Sequence, residues 1–141
     1  MKYTPRLTFA SLLCLAALAM APAASAAPGP EMNGTYNSQV GGLSGGVLIT
    51  FTPCGDGCAQ AVFANSGGMT QAHLDGGQWT MTLPNPNGFQ CSDGSYHPGE
   101  AHYSWDAIAL SGSYWNTDTT GACGPAGAGT AQSSLTLTKV G

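Results

Sequence analysis

Basic residues are nearly missing from this 141-residue chain: Lys2, Arg6 and Lys139 are the full set, against seven acids. Two of the three stand in the first six positions, so beyond residue 26 a single lysine faces seven carboxylates, a net charge of −6. Such a surface cannot neutralise phosphates or release their counterions, which argues against nucleic acid and anionic lipid headgroups as partners. Charged residues of both signs make up only 7% of the chain, so hydration rests on Ser, Thr, Asn, Gln and Gly. Long apolar runs are equally scarce. Leu7–Met20 is the one clear example, and it falls short of the roughly 20 residues that a helix needs to cross about 30 Å of hydrocarbon. No later stretch approaches that length, so no transmembrane segment is expected in the mature protein. Nor does any later segment carry the spacing of a long amphipathic helix, which removes helical bundles and alternating βα folds from the choices.

What is present at the start is the three-part pattern of a secretory signal. Lys2 and Arg6 precede the apolar run, and Ala24-Ser25-Ala26 supplies small residues at the positions a signal peptidase reads. Cleavage after Ala26 is expected, because cleavage after Ala27 puts Pro28 directly behind the scissile bond. A lipid anchor at Cys14 is the alternative, but Leu13 stands where a small residue is required. The chain therefore reads as a signal peptide over 1–26, a flexible leader over 27–33 and a single β domain over 34–141, secreted or held in the cell envelope.

Cysteine usage fits that compartment. Cys54, Cys58, Cys91 and Cys123 remain after cleavage, an even number in an exported chain, and two disulfides are expected. Cys54 and Cys58 flank Gly55-Asp56-Gly57, whose glycines can take the positive φ values that bring the ends of a tight turn within disulfide reach. Local closure then leaves Cys91 to pair with Cys123. Four-thiolate zinc is the competing reading, but Cys91 and Cys123 are far apart and do not form a second close-spaced pair.

Short β-branched and aromatic runs recur between turn-forming clusters. In Gln78–Leu83 the residues Trp79, Met81 and Leu83 alternate with Gln78, Thr80 and Thr82, a strand with one dry face and one wet face. The same period covers Val47/Ile49/Phe51, Tyr103/Trp105, Ile108/Leu110/Tyr114 and Leu135/Leu137, and weaker versions lie at Gly34–Val40, Ala59–Asn65 and Ala72–Leu74. Asp75-Gly76-Gly77 predicts a hairpin, Pro84–Gly88 a longer turn and Asp93-Gly94 another. Eight or so short strands joined by tight turns predict a small antiparallel sandwich or an up-and-down barrel, and the pattern does not separate the two.

Three groups of residues suggest chemistry. Gly42-Leu43-Ser44-Gly45-Gly46 matches the Gly-x-Ser-x-Gly of serine hydrolases, but a nucleophile elbow needs a following helix and Ser44 is followed at once by strand-like Val47–Thr52. Every histidine also lies after Ser44, the wrong order for a trypsin-like enzyme. His97, Glu100 and His102, with His73 and Asp75 elsewhere, offer imidazole and carboxylate ligands for zinc or copper, yet Pro98-Gly99 rules out the helix on which such spacing is usual. Trp79, Tyr103, Trp105, Tyr114 and Trp115 serve either as core or as the lining of a ligand site. Core is the simpler reading for all but Trp115, which alternates to the opposite face from Tyr114.

Several short motifs, Gly34-Thr35-Tyr36, Thr52-Pro53-Cys54-Gly55-x-Gly57-Cys58-Ala59, Asp75-Gly76-Gly77-Gln78-Trp79, Cys91-x-Asp93-Gly94, Leu110-Ser111-Gly112 and Ala122-Cys123-Gly124, follow in that order. Together they resemble a group of small secreted mycobacterial proteins of undefined function and, more distantly, the extracytoplasmic regions of mycobacterial serine/threonine kinases. The resemblance implies an exported β module and supplies no catalytic residue. The expectation is a non-enzymatic module that binds a small ligand or a protein partner, with no cofactor. A metal-dependent or serine hydrolase, and a structural or host-interacting surface protein, are the alternatives. A barrel with an apolar mouth near Trp79, Tyr103 or Trp105 favours small-molecule binding, whereas a filled core without a cavity near about 300 Å³ favours a surface role.

Overall fold

The computed structural model describes residues 30–124 and 129–141; the expected signal peptide lies outside the described residues. Eight strands follow in chain order: β1 (Gly34–Val40), β2 (Val47–Gly55), β3 (Cys58–Phe63), β4 (Met69–Asp75), β5 (Gln78–Gln90), β6 (Tyr96–Asp106), β7 (Ser111–Asp118) and β8 (Ser133–Lys139). Each pairs antiparallel with the next, and β8 returns to β1, closing an up-and-down barrel. The described residues contain no helix.

Alternation within each strand divides the wall. Tyr36, Ile49, Phe51, Ala59, Ala61, Phe63, Ala72, Trp79, Met81, Trp105, Leu135 and Leu137 are buried inside. Thr50, Thr52, Gln71, Thr80, Thr82, Thr136 and Thr138 face outward and are exposed. The outer wall is largely polar, with Leu48, Val62 and Met69 as exposed apolar exceptions, around an apolar interior. No helix among the described residues is long and apolar enough to cross a membrane.

The interior is filled by rings set against small residues. Trp79 and Trp105 are direct cross-strand partners, stacked with centroids 6.4 Å apart. Phe51 packs on Trp105 at 5.8 Å, and Tyr36 meets Phe51 edge-on at 5.7 Å. Ala59, Ala61 and Ala72 supply the small positions that let such rings fit within one eight-stranded barrel. Gly112, opposite Trp105, admits no side chain: a Cβ there runs into the Ser104 carbonyl and stands 2.7 Å from Trp105 Cα. Each indole removes about 150–250 Å² from water, roughly 4–6 kcal/mol at about 25 cal/mol/Å². Both indole N–H groups nevertheless find no partner among the described residues. An unmade buried hydrogen bond costs about 1–3 kcal/mol, so ring burial outweighs the penalty.

The two ends differ. At one, β2–β3, β4–β5 and β6–β7 are joined by short turns over 56–57, 76–77 and 107–110, and Met32 and Ala107 pack into the core. The Cys54–Cys58 disulfide staples the first of these turns, with Cα atoms 5.1 Å apart. Lys139, the one basic residue after position 6, lies over the Tyr36 ring at 5.8 Å. At the other end stand the longer connections over 41–46, 64–68 and 91–95, the described parts 119–124 and 129–132 of the β7–β8 connection, and the extended tips of β5 and β6. Cys91–Cys123 ties the β5–β6 tip to the β7–β8 connection there, also at a Cα separation of 5.1 Å.

Three details differ from the sequence reading. Pro84–Gly88, expected as a turn, lies inside β5: Pro84 pairs with Glu100 and Asn85 with Gly99, and the register shifts between Asn85 and Phe89. Proline is tolerated there because β4 pairs with β5 only as far as Thr80, which leaves that edge of β5 without ladder bonds. Ile108 and Leu110 belong to the β6–β7 turn and not to a strand. Ile108 is 81% exposed and Leu110 has φ 54°, while Asp106 Oδ1 accepts the Ile108 and Ala109 N–H groups at 2.9 and 2.7 Å. Met32, within the segment read as leader, is only 2% exposed, so the packed domain begins before β1.

Candidate functional site: the barrel mouth

Strand direction places every odd-numbered strand's end at the loop-rich rim, and the interior changes character there. Below lie the dry rings; above come Val47 from the start of β2, Phe63 from the end of β3, Leu83 from β5, and Ala101 and Tyr103 from β6. With Asn65 and Ser66 of the β3–β4 connection and with Asn85, they line a cavity of about 190 Å³ whose wall is completed by Pro84 and Pro86. No charged side chain takes part. Aromatic rings form its base: Tyr103 meets Phe63 at 5.7 Å and Tyr114 edge-on at 4.9 Å. Burial, with Tyr114 adding to it, pushes the Tyr103 phenol well above its ordinary value of 10 and holds it protonated. The Tyr114 hydroxyl donates to Asn116 Oδ1 at 3.2 Å.

The rim is held by Asp118, which is 1% exposed. Its Oδ1 accepts the Thr120 N–H at 2.8 Å, the Thr120 hydroxyl at 2.9 Å and the Gly121 N–H at 3.1 Å, and its Oδ2 accepts the Cys123 N–H at 3.2 Å. These bonds, the Thr120 N–H foremost, hold the carboxyl below its ordinary 3.8 against the opposing effect of burial. Thr119 Oγ1 donates to the Pro98 carbonyl at 3.3 Å, and the Asn116 N–H donates to Thr130 Oγ1 at 2.9 Å. A single buried carboxylate thus shapes the connection that carries Cys123.

Outside the mouth, on the β5–β6–β7 wall, a second depression of about 430 Å³ is lined by Pro84, Asn85, Pro86, Pro98, Gly99, Glu100 and Thr119. Below it His102 is fixed on the outer face, with Nδ1 3.3 Å from Thr82 Oγ1 and Nε2 2.9 Å from Thr117 Oγ1. Its ring stacks on Trp115 at 5.1 Å. Trp115 therefore lies on the opposite face from Tyr114, whereas Trp79 and Trp105 are core and Tyr103 and Tyr114 lie at the mouth.

The other candidates are not assembled into sites. Ser44 sits in the exposed β1–β2 connection, and no histidine hydrogen-bonds it among the described residues. His97 falls on the opposite face of β6 from Glu100 and His102, because strand residues of unlike parity point apart. Glu100 and His102 approach to 3.9 Å without it. His73 and Asp75 end β4 at the closed end, both exposed. Sequence reasoning missed Asn65, Ser66 and Asn85, polar loop and strand-tip residues that the fold gathers with Tyr103 around one cavity. No protein-family model, no curated protein and no solved structure matches this chain.

Proposed function

We propose that the protein is an exported, non-enzymatic binding module that holds a small, uncharged ligand in the mouth of its barrel. The observation that carries this is the 190 Å³ cavity at the loop-rich end, lined among the described residues by uncharged groups. It falls short of the roughly 300 Å³ that marks a drug-sized site, and by that mark a surface role is the competing reading; at about 30 Å³ per water-sized group the mouth admits only a fragment of roughly six such groups. An ionic guest loses its hydration there without gaining a counter-charge. A flat or cyclic neutral molecule instead meets Phe63 and Tyr103 with its faces and the side chains of Asn65, Ser66, Asn85 and Tyr103 with its polar edge. The export signal and the resemblance to small secreted mycobacterial proteins support a place outside the cytoplasm.

A thermal-shift screen of neutral cyclic fragments tests this, since a ligand that binds only the folded state raises the melting temperature by mass action. Fragments with a hydrogen-bonding edge are expected to stabilise the protein. Ala101→Leu, which fills the mouth from β6, should abolish the shift while preserving the fold. Equal stabilisation of Ala101→Leu and the parent protein overturns the assignment. The larger outer depression favours a second reading, a protein partner laid along Pro84, Pro86 and Pro98, and fragments whose effect is removed by Glu100→Ala but not by Ala101→Leu would support it.

A further inference from the structure

The rim holds a second constellation, distinct from the mouth. The Sγ atoms of Cys91 and Cys123 and a ring nitrogen of His97 all lie within 4.8 Å of one another, and all three residues are half-buried. They come from three separate pieces of chain: Cys91 follows β5, His97 opens β6 and Cys123 lies on the connection shaped by Asp118. His97 is oriented by a neighbouring hydroxyl. Ser95 Oγ donates to Asp93 Oδ1 at 2.6 Å and so has lone pairs to accept the His97 Nε2–H at 3.0 Å. A carboxylate relaying through a hydroxyl to one ring nitrogen orients an imidazole in the manner of the outer partners of metal-bound histidines. That arrangement leaves a lone pair on the other nitrogen.

We propose that, when its Cys91–Cys123 bridge is reduced, the protein binds one soft or borderline metal ion, zinc or copper(I), through Cys91, His97 and Cys123. In the oxidised protein the sulfurs have no charge to offer. Reduction by a thiol proceeds by exchange: two R–SH form R–S–S–R, and the Sγ–Sγ bond is replaced by two cysteine thiols. Metal binding then displaces a proton from each thiol, giving two thiolates. With metal–sulfur bonds of about 2.3 Å and metal–nitrogen bonds of about 2.0 Å, ligand atoms on a shared tetrahedral ion stand roughly 3.5–4 Å apart. From bonded contact near about 2 Å the sulfurs must part by roughly 1.7 Å, and the imidazole must close by up to about 1.3 Å, shifts shared among three side chains whose two cysteines stand on loops outside the strands. The ion ties the same two loops that the disulfide tied, so a covalent staple becomes a coordinate one, with one tetrahedral position left for solvent or an external donor.

The test uses the mature protein carrying Cys54→Ala and Cys58→Ala, so that the rim pair is the sole source of thiols. It is reduced with a phosphine, freed of reductant and titrated anaerobically with Co²⁺ and then Zn²⁺. The expected result is one equivalent bound, a thiolate-to-cobalt charge-transfer band bleached by zinc, and a near-ultraviolet signal of Trp79 and Trp105 that is retained with metal. His97→Ala should weaken cobalt binding by about tenfold or more, whereas His73→Ala, remote at the other end, should leave it unchanged. Equal affinity in His97→Ala and the parent overturns the proposal. So does a missing charge-transfer band while the tryptophan signal persists, or loss of that signal at saturating zinc.

Discussion

Single residues carry two of the structure's sharper consequences. Trp79 and Trp105 bury rings whose N–H groups have no partner among the described residues. Trp105→Phe removes one orphan donor along with part of the ring, so its cost should fall well below the roughly 3–5 kcal/mol expected for Trp105→Ala. Chemical denaturation of the two variants checks the order. Asp118 gives a pH dependence of known sign. Its folded pKa is depressed, by the Thr120 N–H above all, so its contribution is present above the ordinary carboxylate pKa and is lost as pH falls through the lowered value. Asp118→Asn keeps one acceptor but turns a donor toward the Cys123 N–H. The variant should melt lower at neutral pH and lose less stability than the parent between about pH 5 and pH 2. Parallel pH profiles for the two proteins would contradict this role. Asp118 was not singled out by sequence, since only the fold reveals that an Asp in a Thr- and Gly-rich stretch is buried.

At the scale of elements, the strands were legible where period-two alternation was clean. Trp79/Met81, Val47/Ile49/Phe51 and Leu135/Leu137 lie as the pattern required, because one face had to be dry. It misled where turn chemistry overrode it: Leu110 continues an apolar period yet takes φ 54°, held by Asp106 in a turn the sequence does not announce. Pro84 and Pro86 misled in the other direction, as turn residues absorbed into a strand at an irregular pairing. The disulfides were legible because chain geometry favours local closure of Cys54 with Cys58. The bridges close separations of 4 and 32 residues, worth about 2 and about 4 kcal/mol on the chain-entropy model. Replacing Cys91 and Cys123 together by alanine should therefore lower the melting temperature more than replacing Cys54 and Cys58 together. Gly112→Ala should cost about 3 kcal/mol or more, the upper end of overpacking, because its Cβ collides with backbone and not with a movable side chain, with the β6–β7 amides losing hydrogen-exchange protection first.

For the whole molecule, what sequence left open was closure. Nothing in eight alternating runs states that the last strand pairs with the first, yet that pairing creates an inside, a plugged end and a mouth. It also explains why the mouth's polar residues escaped notice. Asn65, Ser66 and Asn85 look like ordinary turn residues until the wall brings them beside Tyr103. The role proposed for this mouth is to hold a small neutral molecule. Amide chemical-shift mapping tests it most directly, with isotope-labelled mature protein titrated with neutral cyclic fragments and with charged analogues of the same size. Saturable shifts confined to Phe63, Asn65, Ser66, Leu83, Ala101 and Tyr103, seen with neutral fragments and missing with charged ones, are the predicted result. Shifts gathered instead at Glu100 and Thr119 on the outer wall, or no saturable shift with any neutral fragment, would contradict it.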